Sequence, residues 1–337
     1  KNISKQSYPN KITVVVSDDG SSDNSFDLVS RFIKTKEFPA NFEFNLVRSF
    51  PNQGKSNALN LALAKITTDL FCTVDGDSQL YKNALRNIVA NMVCSGEATA
   101  AVAGTILVKN SRDSLLAKAQ ELDYAIGISS VKKTQSSLNG GTLVAQGAFS
   151  IYRTALVKDL KFQHSVGEDI VLTFGLRSKH NKIGHAENAF CFSNVPTTFK
   201  KYFRQRRRWA RGLIEAFKAH PHNARYLKHN SPFIWYNLMF PFLDTSYMLF
   251  FLPGIIAAIF FQYYLLASLI TLLLLPLMII SHSIHYYKQK QIFDAHGLKF
   301  RKNKAGLLFY AFLYQPILVL ASISGYASEV FKLPKRW

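Results

Sequence analysis

The chain has 337 residues, enough for two or three domains, and its 41 Lys and Arg residues against 21 Asp and Glu residues give a net charge of +20. Hydrophobic residues make up 48% of the chain and charged residues 18%, which excludes an intrinsically disordered protein. Three cysteines, Cys72, Cys94 and Cys191, lie far apart without a CxxC or Cys/His spacing, so we expect reduced core residues and neither disulfides nor a zinc site.

Short apolar runs alternate with helical patterns along the first 230 residues. The predicted strands cover 12–17, 44–47, 70–74 and 100–108, and the predicted helices cover 26–33, 57–64, 80–94 and 114–130. Continuous apolar strands of this kind predict an α/β domain with a mainly parallel sheet that is covered on both faces. In such a domain, ligands bind outside the carboxyl ends of the strands.

Acidic turns follow two of these predicted strands. Asp18 and Asp19 can receive the polar edge of a nucleoside, or they belong to an ordinary helix-capping turn. Asp75 and Asp77 are alternate carboxylates that can converge on one hard cation, Mg²⁺ or Mn²⁺, whose remaining ligands come from substrate phosphates. A calcium loop would need a longer run of ligands that ends in Glu, which leaves a solvated turn as the alternative.

Two further helix starts carry charged side chains. Lys55 precedes the predicted helix at 57–64, where a lysine and free backbone N–H groups suit a phosphate, although an exposed surface lysine is equally plausible there. Glu168 and Asp169 precede an apolar helix at 170–176. They either complement the dipole of that helix or supply a catalytic base in a partly closed cleft.

A basic segment at 200–211 contains seven Lys or Arg residues in twelve positions. It predicts a nucleic-acid helix, a membrane-surface helix, or a pocket for a diphosphate and a sugar. Nucleic acid fits poorly because the segment is close to an apolar region and offers a single aromatic stacking candidate, so we expect no nucleic-acid partner. Anionic lipid headgroups explain the charge, whereas an indole beside Gln and Arg suits the C–H groups of a sugar.

The last hundred residues predict a membrane region. Residues 233–287 carry one formal charge and residues 305–328 carry none, and an uncharged apolar run of 18 or more residues can cross a bilayer. We expect a boundary at 231/232, so that a domain at 1–231 is followed by a membrane region at 232–337. The expected apolar segments are 233–261, with a kink or break at Pro253-Gly254, 263–287 and 305–328.

The loop at 288–304 has six Lys or Arg residues and one Asp, which places it in the cytoplasm by the positive-inside rule. Two crossings before this loop place the first domain in the cytoplasm as well. A third crossing would export Lys332, Lys335 and Arg336, against the same rule. The sequence therefore leaves open that one of the segments does not cross fully.

The chain strongly resembles the processive membrane glycosyltransferases of family 2 through four motifs that are followed by apolar helices. In chain order they are Asp-Asp-Gly-Ser, Asp-x-Asp, Gly-Glu-Asp and Gln-x-x-Arg-Trp. That group includes cellulose, chitin, hyaluronan and poly-N-acetylglucosamine synthases. The resemblance implies a GT-A, Rossmann-like domain in the cytosol and a following set of transmembrane helices. Residues 3–10 resemble the end of the family's first helix, so we expect the family's first strand to be missing from this chain.

The resemblance also implies a role for each motif residue. The catalytic pair would be Asp169, as general base, and Glu168. The nucleotide would contact Asp18, Asp19, Lys55, Asp75 and Arg208. Asp75 and Asp77 would hold the divalent metal, Mg²⁺ or Mn²⁺, and the acceptor sugar would contact Gln146, Gly147, Gln205 and Trp209.

The expected activity is the inverting transfer of a sugar from a UDP-sugar to the end of a growing β-linked polysaccharide, coupled to its translocation across the membrane. UDP-N-acetylglucosamine is the best choice of donor by overall similarity. The expected partners are the UDP-sugar, the polysaccharide and the bilayer, with room for a small accessory membrane subunit. We expect a multi-pass protein of the plasma (inner) membrane with its active site facing the cytoplasm. The alternatives are single-sugar transfer to a lipid carrier and a non-catalytic assembly subunit.

Overall fold

The computed structural model describes residues 2–137, 141–224, 231–263, 269–299 and 301–335. The strands are β1 (Ile12–Asp18), β2 (Phe42–Arg48), β3 (Leu70–Val74), β4 (Gln79–Leu80), β5 (Thr99–Val108), β6 (Phe149–Arg153) and β7 (Lys182–Ser193). The helices of the first domain are α1 (Ser25–Thr35), α2 (Lys55–Ala64), α3 (Ala84–Cys94), α4 (Leu115–Leu122), α5 (Val131–Ser136), α6 (Thr154–Leu160), α7 (Glu168–Ser178) and α8 (Phe199–Ala219). The apolar region that follows contains α9 (Ser231–Ser246), α10 (Leu252–Phe260), α11 (Leu269–Ala295), α12 (Lys304–Phe309) and α13 (Gln315–Val330).

The strands form two groups. β1 and β2 pair in parallel, and the other five strands form a sheet of order β3-β6-β5-β7-β4. In that sheet only β5 and β7 are parallel, while the other neighbouring pairs are antiparallel. The prediction of a mainly parallel sheet is therefore wrong. A continuous apolar run reports that both faces of a strand are buried, as all ten residues of β5 are, and carries no information about strand direction.

The five-stranded sheet is covered on both faces, as expected. On one face, Ile88 and Met92 of α3 pack against the sheet residues Phe149 and Ile151. On the other face, residues of α6 and α7, among them Leu172, pack against Tyr152 and Ile183. Each face of the sheet therefore has its own core.

The predicted elements overlap observed ones, with two differences in their extent, whereas β6, α6 and β7 were not predicted. The helix expected from position 80 begins at Ala84, because Gln79 and Leu80 pair with β7 as a two-residue strand. The helix expected at 114–130 is α4 followed by a π-helical section, Asp123–Ser130, and then by α5. Of the cysteines, which are all free, Cys191 is buried, Cys72 is half-buried and Cys94 is exposed, so the expected core position fails for Cys94.

Two helices in the described ranges are long and apolar enough to cross a membrane, Pro232–Phe260 and Lys304–Val330. The first contains a π-helical section, Tyr247–Phe251, just before Pro253, where a regular hydrogen-bond ladder cannot continue. The second predicted apolar segment, 263–287, includes positions 264–268, which lie outside the described residues, and α11 covers the rest. The described part of the chain thus supports two candidate spans.

We call Lys304–Val330 the C-terminal apolar helix, and both of its ends contact the α/β domain. At its start, the side chain of Asn303 donates to the Lys118 carbonyl and to Glu121, at 2.8 and 2.6 Å. At its end, Glu329 pairs with Arg211 of α8 at 3.0 Å. The helix therefore lies along α4 and α8.

Candidate active site

Three separate segments bring four charged side chains to one point, which we call the carboxylate cluster: Lys55, Asp75, Glu168 and Asp169. The ammonium of Lys55 lies 2.8 Å from Asp75 Oδ1 and 2.9 Å from Glu168 Oε1. Asp169 is the next residue after Glu168, and its Oδ2 accepts a hydrogen bond from the backbone N–H of Gly147 at 3.0 Å. Asp75 and Glu168, which lie about 20 and 110 positions from Lys55 in the sequence, therefore share its ammonium group. Asp169 is joined to the cluster by the backbone of Gly147.

Local structure explains why these side chains meet. Lys55 is the first residue of α2 and follows Gly54, whose φ of 90° favours glycine. Asp75 directly follows β3, and Glu168 and Asp169 are the first two residues of α7. A Cβ atom at Gly147 would lie 3.2 Å from Lys55 Nζ, so the small residue here lets the backbone approach the cluster closely.

The two acids of α7 have different surroundings. The side chain of Glu168 is 7% exposed, and its burial, followed by the charge of Asp169, raises its pKa, while Lys55 lowers it. Burial by itself would lower the pKa of Lys55, but the carboxylates of Asp75 and Glu168 raise it above its ordinary value. The buried carboxylate of Glu168 is thus held in an ion pair with the partly exposed Lys55.

Asp169 is more accessible than Glu168 and makes no ion pair among the described residues. Its Oδ1 accepts from the N–H of Ile170 at 2.8 Å, and its Oδ2 accepts from Gly147. These two N–H groups fix the orientation of the carboxylate and leave lone pairs free for a further donor. Of the two acids, Asp169 is the one that can receive a proton from a bound molecule.

Asp77 lies in the turn after Asp75 and is exposed. Partial burial, and then the charge of Asp75, raises the pKa of Asp77 above its ordinary value, so the two carboxylates interact. Within the described ranges no group of three or more His, Cys, Asp or Glu side chains is arranged to hold a metal. The donor set is therefore two carboxylates, which suits a Mg²⁺ or Mn²⁺ ion that takes its other ligands from phosphates and water.

The turn after β1 contacts the loop that leads to Lys55. Asp18 pairs with Arg48 at 3.1 Å, and Asp19 Oδ1 accepts from the backbone N–H of Gln53 at 3.2 Å. A Cβ atom at Gly20 would lie 2.8 Å from the backbone of Asn52, so this turn packs closely on the loop. Asp19 thus contacts the loop two residues before Lys55, and Asp18 is already engaged by a cation.

The segment at 200–211 is part of α8. Trp209 is 38% exposed, Arg208 is exposed and the side-chain oxygen of Gln205 is buried without a hydrogen-bond partner. Within the described residues no ion pair joins Arg208 to the carboxylate cluster. The link between α8 and the cluster is made by Gly212, where an added Cβ would lie 2.9 Å from the Cα of Gly167, the residue before Glu168.

The structure also identifies residues that the sequence did not. Arg206 of α8 pairs with Asp123 at 2.6 Å, and its guanidinium lies 4.3 Å from the centroid of the Trp209 ring. Tyr314 of the C-terminal apolar helix donates to the same Asp123 oxygen at 2.9 Å. Only the spacing of Arg206 and Trp209, three residues apart on one helix face, was visible in the sequence. The predicted acceptor residue Gln146 donates to the carbonyl of Gly104 at 2.6 Å.

Comparisons with known proteins find sequence relatives of this chain. Poly-beta-1,6-N-acetyl-D-glucosamine synthase of Staphylococcus epidermidis is 29% identical over 207 residues, which are 61% of this chain and 48% of that protein. The synthase of the same name from Staphylococcus aureus is 30% identical over 204 residues, 60% of this chain and 47% of the relative. The matched part thus spans about half the length of these relatives.

A solved structure shares the fold. The mannosyltransferase of Pyrobaculum calidifontis, in complex with GDP-Man and Mn²⁺, superposes with a TM-score of 0.57 at 18% identity, covering 99% of this chain and 82% of that one. This likeness confirms the expected GT-A fold, here with a mixed sheet. The family model "Glycosyltransferase like family 2" matches residues 1–212, which contain all seven described strands and the Gln-x-x-Arg-Trp motif. The chain therefore belongs to glycosyltransferase family 2.

Proposed function

We propose that this chain transfers a sugar from a UDP-sugar, with inversion at the anomeric carbon, to a growing β-linked polysaccharide. The observation that carries the proposal is the carboxylate cluster. It places an accessible acid, Asp169, beside a buried acid that is neutralised by Lys55. Such a pair separates a group that can take a proton from one that fixes the geometry.

Asp169 is the proposed general base. It would accept the proton of the acceptor hydroxyl while that oxygen attacks the anomeric carbon, so the bond to the UDP oxygen breaks on the opposite face. The N–H groups of Gly147 and Ile170 hold its carboxylate in place during this step. Glu168 keeps Lys55 next to Asp75, which orders the nucleotide side of the site. A single displacement converts an α-linked donor into a β-linked product.

Asp75 and Asp77 are the proposed ligands of a divalent metal, and Arg208 is the proposed contact of the diphosphate. When bound, the metal neutralises charge that develops on the leaving diphosphate. The exposed guanidinium of Arg208 would approach the same oxygens from α8. Asp18, Asp19 and the loop before Lys55 would hold the nucleoside, as the resemblance to the family implies.

Two relatives that are poly-beta-1,6-N-acetyl-D-glucosamine synthases support N-acetylglucosamine as the transferred sugar. Trp209, whose indole is 38% exposed, is the proposed platform of the acceptor sugar. Gln146, Gly147 and Gln205 complete that side of the site. Processive synthesis and translocation through the apolar helices are part of the same proposal.

The protein is proposed to act at the inner membrane, with its active site in the cytoplasm. Pro232–Phe260 is the first proposed crossing, and the apolar segment at 263–287 is the second. The C-terminal apolar helix has both ends joined to the domain, and Lys335 pairs with Glu215 of α8 at 3.0 Å. We therefore place this helix at the membrane surface, alongside α8, with its end on the cytoplasmic side. In a background in which Cys72 and Cys94 are changed to Ser, a Lys332→Cys side chain should react with a membrane-impermeant maleimide in inside-out vesicles. Protection in these vesicles together with reaction in right-side-out vesicles would contradict this placement.

The activity is tested by UDP release from the full chain in lipid nanodiscs with UDP-N-acetylglucosamine and Mn²⁺. Asp169→Asn keeps the size of the side chain but cannot take the proton, so release should fall at least about a hundredfold, within the range of general-base effects. Asp27→Asn, which changes an exposed acid in the first turn of α1, is the matched control and should retain activity. Equal activity of the two variants would overturn the assignment of the base.

Donor and product are tested separately. UDP-glucose, UDP-N-acetylglucosamine and UDP-glucuronate are compared as donors, and products are sized by gel. Long chains of N-acetylglucosamine are expected. Detection of a single lipid-linked sugar would indicate transfer to a lipid carrier in place of polymer synthesis. An absence of turnover with every donor would favour a non-catalytic assembly subunit.

A further inference from the structure

We propose that Arg206 is a positioning residue that fixes the indole of Trp209, and that Tyr314 makes this position depend on the seating of the C-terminal apolar helix. The acceptor side of this inference rests on the proposed function, whereas the positioning of the indole does not. Three elements meet at this point: the π-helical section Asp123–Ser130, α8 and the C-terminal apolar helix.

Three hydrogen bonds join Asp123, Arg206 and Tyr314, and we call them the clamp. Arg206 Nη2 donates to Asp123 Oδ2 at 2.6 Å and to the Tyr314 hydroxyl at 3.1 Å. The Tyr314 hydroxyl donates to the same Asp123 oxygen at 2.9 Å. The side chains of Arg206 and Asp123 are 6% and 10% exposed, and Tyr314 is buried. A buried cation in such a triangle has few alternative positions.

The guanidinium is also in contact with aromatic rings. Its carbon lies 4.3 Å from the centroid of Trp209 and 5.2 Å from that of Tyr202. Tyr124, next to Asp123 in the sequence, has its ring centroid 6.3 Å from that of Trp209. The indole is thus bounded by a fixed cation and a second ring, and it remains 38% exposed for a ligand.

The contact with Tyr314 extends this arrangement to the apolar part of the chain. The C-terminal apolar helix runs alongside α8, because contacts with α8 occur at two places along it. Tyr314 lies next to Tyr202 and Arg206. Further along the helix, Glu329 pairs with Arg211 and Lys218. A shift of this helix would move the Tyr314 hydroxyl away from Arg206. The orientation of Trp209 would then change although no residue in contact with the sugar had been altered.

The first test reads the indole directly. In a background in which Trp235 and Trp337 are changed to Phe, Trp209 is the only tryptophan, and its emission and its quenching by acrylamide are measured in nanodiscs without substrate. Tyr314→Phe removes one hydroxyl and keeps the ring, so the fold should persist while the quenching constant rises about twofold or more. Tyr310→Phe is the matched control, since its hydroxyl is not part of the clamp.

The second test separates acceptor binding from donor binding. With UDP-N-acetylglucosamine as donor and a β-linked N-acetylglucosamine trisaccharide as acceptor, Tyr314→Phe should raise the acceptor KM about tenfold, which corresponds to about 1.4 kcal/mol. The donor KM should stay within a factor of two. Arg206→Lys, which keeps the charge but loses the planar fork, should show the same split.

The outcomes are distinguishable. If Tyr314→Phe lowers the melting temperature but leaves Trp209 quenching equal to that of Tyr310→Phe, the clamp is only structural and the inference is overturned. If quenching changes while the trisaccharide KM does not, Arg206 still positions the indole, and the role of Trp209 as acceptor platform is refuted. An enzyme without any turnover would refute the proposed function and would leave the fluorescence test standing.

Discussion

Lys55→Met removes the cation that Asp75 and Glu168 share and keeps the length of the side chain. The side chain of Glu168 is 7% exposed, so it would remain as a buried carboxylate without its cation. Removing one partner of a buried pair costs about 3–5 kcal/mol of folding free energy. The pair with Asp75 adds only about 0–1 kcal/mol, because both of its side chains are more than a third exposed.

Proton uptake by Glu168 limits this cost and gives it a pH dependence. From the ordinary glutamate pKa of 4.5, a carboxyl that is neutral when folded and ionised when unfolded costs about 1.36 kcal/mol for each pH unit above that pKa. The largest destabilisation that an unpaired Glu168 can cause is therefore about 3.4 kcal/mol at pH 7 and about 1.4 kcal/mol at pH 5.5. The penalty of Lys55→Met should therefore be largest at neutral pH and shrink as the pH falls.

Thermal unfolding in nanodiscs with EDTA, followed by far-UV circular dichroism, measures the effect. A loss of about 3 kcal/mol corresponds to a fall of roughly 6–12 °C in the melting temperature of a domain of this size. Lys65→Met, at an exposed lysine just after the same helix, is the control. Adding Glu168→Gln to Lys55→Met should recover most of the loss. If Lys55→Met and Lys65→Met have the same melting temperature at pH 7, the ion-pair argument is wrong. It is also wrong if the double variant recovers none of the lost stability.

Three further predictions follow from the site and its surroundings. Asp77→Ala should abolish Mn²⁺-dependent UDP binding in calorimetry, and binding that is equal with Mn²⁺ and with EDTA in the unaltered protein would refute the metal role. Burial lowers the pKa of Lys132 to about 7, so the unfolded chain holds a proton that the folded chain has lost between about pH 7 and 10.5. Stability should rise with pH across that window by up to about 1.36 kcal/mol per unit, and Lys132→Met but not the exposed Lys133→Met should remove the rise. Gly212→Val should cost about 1–3 kcal/mol and reduce transfer, because its Cβ meets Gly167 at 2.9 Å; unchanged melting and activity would contradict this.

Much of the fold could be predicted because its signals are local. The strand at Leu70–Val74 was predicted with its observed bounds, since a short apolar run with β-branched and aromatic residues between polar turns needs no long-range information. The helix start at Glu168 and Asp169 and the family motifs were recognised for the same reason. The antiparallel pairing was not, because β6 was not predicted as a strand, and apolar periodicity reports burial and not the path by which the chain returns to the sheet.

The roles within the site divide in the same way. The sequence by itself determined which residue types were available for the chemistry, namely the acids after the strands, the lysine at the start of α2 and the tryptophan of α8. Only the tertiary structure decided that Lys55 neutralises Glu168 and leaves Asp169 accessible, and that Tyr314 reaches Arg206 across 108 positions. Ion pairs and buried hydrogen bonds depend on distance and desolvation in three dimensions, and neither quantity is encoded in the spacing of residues along the chain.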